Sequence, residues 1–120
     1  VSFIKPHHPF DPPAPWDSFY NPRAITLPAG WRHPADSEDA LPGHFFEPGT
    51  VTEARFRRVA AFYYANISLI DKQIGRVLAT LASRGFTNNI LVYTSDHGDY
   101  MGHRGLLGKH PGLLYDSLLR

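Results

Sequence analysis

Cysteine is absent from the 120 residues. That excludes disulfides and thiolate metal sites and leaves the redox compartment unreadable. Any metal held here must be bound through His, Asp, Asn or Glu. Long apolar runs are missing too, and no stretch approaches the roughly 18 residues that a membrane span needs. Charge of one sign is scarce: the formal balance is +1, so no nucleic-acid partner and no polybasic membrane contact is expected. Position 1 is Val rather than Met, and residues 1–4 run straight into Lys5-Pro6-His7. That is not the charged, then apolar, then small-residue order of a signal peptide. Leu118-Leu119-Arg120 carries no cap or tail signal, so both ends are expected to lie inside a longer protein.

What is present is unevenly distributed. Hydrophobic residues make up 42% of the chain, enough for a core, and ten of the 11 prolines fall between Pro6 and Pro48. Proline fixes its own φ and turns the preceding residue away from helix, so residues 6–49 are expected to form one long irregular segment. Loops of that length in compact domains are functional or disordered. The aromatics within it, Phe10, Trp16, Phe19, Tyr20, Trp31, Phe45 and Phe46, argue for packing rather than disorder.

A proline-free stretch follows. Thr50 and Glu53 have the spacing of a capping box. From there Phe56, Val59, Ala60, Tyr63, Ile67, Ile70, Ile74, Val77, Leu78 and Leu81 recur at intervals of three and four. They predict one apolar helical face over 50–84, with room for a bend near 64–66. Gly85 is placed to end that helix. Residues 90–94, Ile-Leu-Val-Tyr-Thr, predict a short strand buried on both faces, as in a parallel sheet, and residues 1–4 suggest the tail of another. Strand, helix and strand make an α/β unit. Two strands and one helix do not close a core, which again points to part of a larger fold.

Ser95-Asp96-His97-Gly98 follows the predicted strand directly, and in open α/β sheets the ligand crevice lies beyond the carboxyl ends of the strands. A carboxylate oxygen and an imidazole nitrogen both bind divalent metals. Taken alone, the triplet fits equally well an Asp that caps the next turn beside a surface His. Gly102-His103-Arg104-Gly105-Leu106-Leu107-Gly108-Lys109 places three glycines among cationic donors that suit an oxyanion, although a solvated basic loop has the same composition. It is not a phosphate-binding P-loop, since no Ser or Thr follows Lys109. Near the start, Pro6 and Pro9 bracket His7-His8, which preorganises an imidazole or makes a rigid surface turn. His33 and His44 read as surface residues of the proline-rich loop. Asn66-Ile67-Ser68 fits a glycosylation acceptor formally, but its place on the predicted helix argues against use.

Three segments taken together are more specific than any one. They are Ser2 to Phe10, Ala65-Asn66-Ile67-Ser68-Leu69-Ile70-Asp71-Lys72-Gln73-Ile74-Gly75-Arg76, and Thr94 to Lys109 with Tyr115-Asp116. In this order and at these separations they resemble the central part of a sulfatase of the alkaline-phosphatase superfamily, over nearly the whole chain. The resemblance implies an α/β fold, a partial alkaline-phosphatase/sulfatase-like fold with residues 1–120 as an internal piece of the catalytic domain. Residues 6–49 would lie on its substrate side.

The resemblance also implies a divalent metal, usually calcium, with manganese and zinc as alternatives. Asp96 and His97 match two of its ligands. Many sulfatases carry Asn where His97 stands, whereas His is familiar in phosphonate monoester hydrolase-like relatives. His7 matches the histidine near the sulfate and leaving oxygen, and Lys109 the lysine that bridges them. His103 and Arg104 are further candidates for substrate binding. The family's nucleophile is a formylglycine made in a Cys/Ser-x-Pro-x-Arg motif, which this sequence lacks and which would lie upstream of Val1. The reaction implied is hydrolysis of a sulfate ester, of a small molecule or a sulfated glycan, by covalent catalysis. A phosphonate monoester hydrolase or phosphodiesterase of the same superfamily is the alternative. A truncated, inactive product is the non-enzymatic one, because the chain by itself supplies no nucleophile.

Overall fold

One helix organises the chain. The computed structural model describes residues 1–28, 31, 51–109 and 116. Helix α1, Glu53–Ser83, runs unbroken for 31 residues. Its start lies two positions later than the Thr50 cap expected from sequence, and Thr50 itself lies outside the described residues. Thr52 is the N-cap: its backbone is extended and its side-chain oxygen accepts the Arg55 N–H at 3.3 Å. The third helical position is therefore Arg55, so no reciprocal capping box forms. Glu53 takes the first turn, where the helix dipole favours an acid, and pairs with Arg57 one turn on at 2.9 Å.

The C-terminal end follows expectation. Gly85 adopts φ +75, its N–H donates to the Ala82 carbonyl, and the Phe86 N–H donates to Leu81. This is the paired pattern of a left-handed glycine terminus.

The first half of α1 is the covered half. Phe56, Ala60, Ala61 and Ala65 are buried on it, and Ile25 and Leu107 close over Phe56 and the alanines. Small side chains let the incoming segments approach the helix backbone closely. Those segments are the irregular stretch 16–28, with 3₁₀ turns Trp16–Ser18 and Pro22–Ala24, Trp31, and the loop that follows residue 98. Trp31 stacks on Phe56 at 5.5 Å between ring centroids. Tyr20 Oη and Ser68 Oγ share a hydrogen bond of 2.8 Å. Arg57 donates to the Ile25 carbonyl. Burial of the Phe56 side chain contributes about 1.5–3 kcal/mol. Asn66 is fully buried with neither side-chain polar atom bonded, which argues further against its use as a glycosylation acceptor.

Gly102 presses against the same core. Its φ is +90, and a Cβ there would meet Phe56 Cζ at 2.5 Å. Gly102→Ala should therefore cost about 2–4 kcal/mol, from backbone strain and overpacking together. A drop of several degrees in the thermal midpoint of the intact protein would register it, and an unchanged midpoint would remove Gly102 from the core contact.

The second half of α1 is less covered, with Ile67 and Leu78 exposed. The apolar stripe continues past its described partners. The expected strands are not formed among the described residues either. Residues 90–94 are irregular, and Ile90 and Val92 are 92% and 78% exposed. Residues 1–4 are likewise open. The physical reason is that a strand cannot satisfy its own N–H and C=O groups: the ladder needs a neighbouring strand. The apolar composition at 90–94 records a tendency to be covered, and no described segment covers it. Of the proline-rich loop 6–49, residues 29–30 and 32–49, with His33, His44, Phe45 and Phe46, lie outside the described residues.

Candidate active site

Three separate segments meet beyond residue 94. The first is the turn at residues 5–11. Its ends are tied by Lys5, whose ammonium donates to the Pro9 carbonyl and pairs with Asp11. The Lys5 hydrogen bond holds the exposed Asp11 carboxyl below its usual range. Inside the turn, His7 Nδ1 donates to the His8 carbonyl at 2.8 Å, and the His7 and His8 rings lie 4.2 Å apart. The tautomer follows from that partner: a carbonyl only accepts, so Nδ1 carries the proton and Nε2 keeps its lone pair. His8 is lowered by burial and by His7 beside it.

The second segment is 95–98. His97 Nδ1 donates to the Gly98 carbonyl at 2.7 Å, which leaves Nε2 with its lone pair. That nitrogen accepts from Lys109 Nζ at 2.7 Å. Metal-binding histidines likewise spend one imidazole nitrogen on a backbone carbonyl and offer the lone pair of the other; here Lys109 holds that lone pair. Asp96 is exposed; its Oδ1 accepts the His97 N–H at 3.0 Å, and its Oδ2 lies 3.6 Å from His97 Nε2. The neighbouring His97 is the first cause that holds the Asp96 carboxyl below its usual range, with the N–H groups of Asp96 and His97 and the Lys109 ammonium adding to it. The His7 and His97 rings meet edge-on at 6.2 Å.

The third segment is the glycine-rich loop that ends at Lys109. Asp99 opens it, half-buried, with Oδ1 accepting the N–H of Met101 at 2.8 Å and of Gly108 at 3.1 Å. Burial pushes the Asp99 carboxyl up, against the pull of those N–H groups and of His97 and His8. Tyr63 of α1 is pushed up to about 12, first by burial and then by the Asp99 charge. Helix and site are therefore electrostatically in touch.

His7, Asp96, His97 and Lys109 are thus brought together by the contacts above. His103 is placed instead at the tip of the loop, half-buried in the 3₁₀ turn His103–Gly105. The side chain of Arg104 lies outside what is described.

The Sulfatase family model matches residues 1–119 of the chain. This chain belongs to the sulfatase family. It is similar to an arylsulfatase of Clostridium perfringens, 34% identical over 123 residues that cover 100% of this chain and 25% of the relative. A choline-sulfatase of Rhizobium meliloti is 33% identical over 88% of this chain and 22% of its own length. A multifunctional alkaline phosphatase superfamily protein of Trinickia caryophylli is 31% identical over 91% of this chain and 24% of its own. The sulfatase chain spans about a quarter of the length of these relatives. The family carries the alkaline-phosphatase-like α/β fold, of which the described residues display the helix and its covering loops.

The donor set in this sulfatase chain fits a divalent cation in part. Two ligand atoms at right angles on a cation with ~2.4 Å bonds stand about 3.4 Å apart. Asp96 Oδ2 and His97 Nε2, at 3.6 Å, are close to that. Among the described residues no group of three or more His, Cys, Asp or Glu is arranged to hold a metal. Reading the sequence missed Lys5, Asp11 and Asp99. For Asp99 a signal existed: an Asp two residues before an amide it can cap is the mark of a side-chain turn.

Proposed function

We propose that the protein carrying this sulfatase chain hydrolyses sulfate esters, of small molecules or sulfated glycans, with a divalent cation. Residues 1–120 form part of its catalytic domain, with 6–49 on the substrate side. Residues 90–94 join a parallel sheet whose other strands the rest of the protein supplies. The observation that carries this reading is the meeting of His7, His97 and Lys109, one from near the start of the chain and two from near its end, at 6.2 Å between imidazoles and 2.7 Å from ammonium to imidazole.

The roles follow from the atoms. Asp96 and His97 Nε2 hold the cation, calcium by the family's habit, with manganese and zinc as alternatives. When bound, the cation withdraws electron density from an ester oxygen and neutralises charge. With the cation on His97 Nε2, Lys109 would give up its contact with that nitrogen and bring its ammonium to the sulfate and leaving oxygens, where charge grows in the transition state. His7, with Nδ1–H anchored on the His8 carbonyl, acts at Nε2: as the imidazolium, with both nitrogens protonated, it passes the Nε2 proton to the leaving oxygen and is left as the neutral Nδ1–H ring. His103 and Arg104, in the sequence between them, are the candidates to meet the remainder of the substrate. The formylglycine nucleophile of the family belongs to a part of the protein outside this chain.

A second reading, hydrolysis of phosphonate monoesters or phosphodiesters, is favoured by His97 itself, an imidazole where many sulfatases carry an amide. The likeness to a multifunctional superfamily member supports it as well. The test is the initial rate of the intact protein on an aryl sulfate and on an aryl phosphonate, after chelation and after return of calcium, manganese or zinc. Sulfate should turn over faster, cease with chelator and recover with calcium. Faster phosphonate turnover would establish the second reading, and indifference to chelator would remove the metal from both.

A further inference from the structure

One carboxylate bridges the two sides of the loop between His97 and Lys109 at its neck. Asp99 Oδ1 accepts the N–H of Met101 on the outgoing side at 2.8 Å and of Gly108 on the returning side at 3.1 Å. Beside it the Tyr100 N–H donates to the Gly108 carbonyl at 3.0 Å, and further in, the Gly102 N–H donates to Leu106 at 2.7 Å. Tyr100, Leu106 and Leu107 are buried. Gly108 turns through φ +78, so the chain leaves the neck immediately before Lys109.

The consequence is geometric. A lysine side chain has a long flexible stem and costs rotamer entropy to hold in one place. Its 2.7 Å contact with His97 can persist only if the backbone on both sides of the neck is held. Hydrogen bonds from N–H groups to a carboxylate are shorter and roughly twice as strong as neutral ones. One oxygen taking both N–H groups sets the width of the neck.

We propose that Asp99 is a positioning residue, whose carboxylate oxygen clamps the 99–108 loop so that Lys109 is delivered to His97. The clamp works by acceptor geometry, so an amide oxygen in the same place can replace the carboxylate. Its kinetic consequence rests on the sulfate-ester reading, whereas its structural consequence does not.

The experiment compares Asp99→Asn, Asp99→Glu and Asp99→Ala in the intact protein, by aryl sulfate kinetics and by the ¹⁵N resonance of His97 Nε2 after chelation. Lys109→Ala supplies the resonance of an uncontacted ring. Asn keeps the acceptor in place, Glu keeps the charge but moves it outward by one methylene, and Ala removes both. Glu and Ala should lower kcat by about 10–100-fold, the range seen when a supporting partner of a site residue is lost. KM should change by less than about threefold, because the Lys109 contact matters mainly in the transition state. Asn should stay near the parent. The His97 resonance should move toward the Lys109→Ala value in Glu and Ala, and remain in place in Asn.

A parent-like Glu variant beside a disabled Asn variant would overturn the clamp in favour of charge alone. So would a His97 resonance unmoved by loss of the acceptor. Should the Ala variant not fold, the order of Asn and Glu decides. Should the parent itself hydrolyse no sulfate ester, the proposed function falls, while the resonance still decides the clamp.

Discussion

Lys109→Ala in the intact protein should lower kcat by about 10²–10³, the usual cost of removing one donor from an oxyanion site, with KM rising by much less. The ammonium sits 2.7 Å from His97 Nε2, at the end of the glycine-rich loop. Charge on the leaving and sulfate oxygens develops as the ester bond breaks, so a donor aimed there is worth more in the transition state than in the bound substrate. Lys109→Arg should recover little, because a planar guanidinium does not reproduce a point charge at one oxygen. Steady-state kinetics on a chromogenic aryl sulfate measures both constants. A variant whose KM rises while kcat holds would make Lys109 a ground-state binding group, and the assignment of leaving-group stabilisation would be abandoned.

The second large effect is expected on the cation. Asp96→Ala should weaken the affinity for the activating divalent ion by more than about 100-fold, since the loss of even an outer partner of a metal ligand costs 10–100-fold. His97→Ala should do the same. The Asp96 carboxyl is held low by His97, so it offers an ionised oxygen through the neutral range. Its Oδ2 stands 3.6 Å from the imidazole nitrogen that would share the ion. Titrating calcium into chelator-treated protein by calorimetry, and separately by activity, reads the affinity directly. Equal affinities in parent and Asp96→Ala would place the ion elsewhere and leave Asp96 as the cap of its own turn, with Oδ1 on the His97 N–H.

The helix was legible in the sequence because its signals are local. Apolar positions at three and four, no proline and a terminal glycine specify α1 wherever it docks. The start slipped by two residues because Thr50 and Thr52 both precede Glu53, and only the backbone decides which hydroxyl reaches a free N–H. The strand at 90–94 was legible only as composition: Ile90 at 92% exposure shows that apolar, β-branched residues do not make a ladder without a neighbouring strand.

The candidate residues divide in the same way. His7, Asp96, His97 and Lys109 stood out by type, by proline and glycine punctuation and by family likeness. By itself the sequence determined which functional groups are available, the course of α1 and membership of the sulfatase family. Tertiary structure alone decided that the His7 and His97 rings meet at 6.2 Å and that His97 keeps its Nε2 lone pair by spending Nδ1 on the Gly98 carbonyl. It also showed that Asp99, which the sequence marks only as the start of a local turn, reaches across to the Gly108 N–H as well. The reason is range: helix capping and periodicity act over a few residues, whereas a site is made by atoms that share a few ångströms of space and almost none of the chain between them.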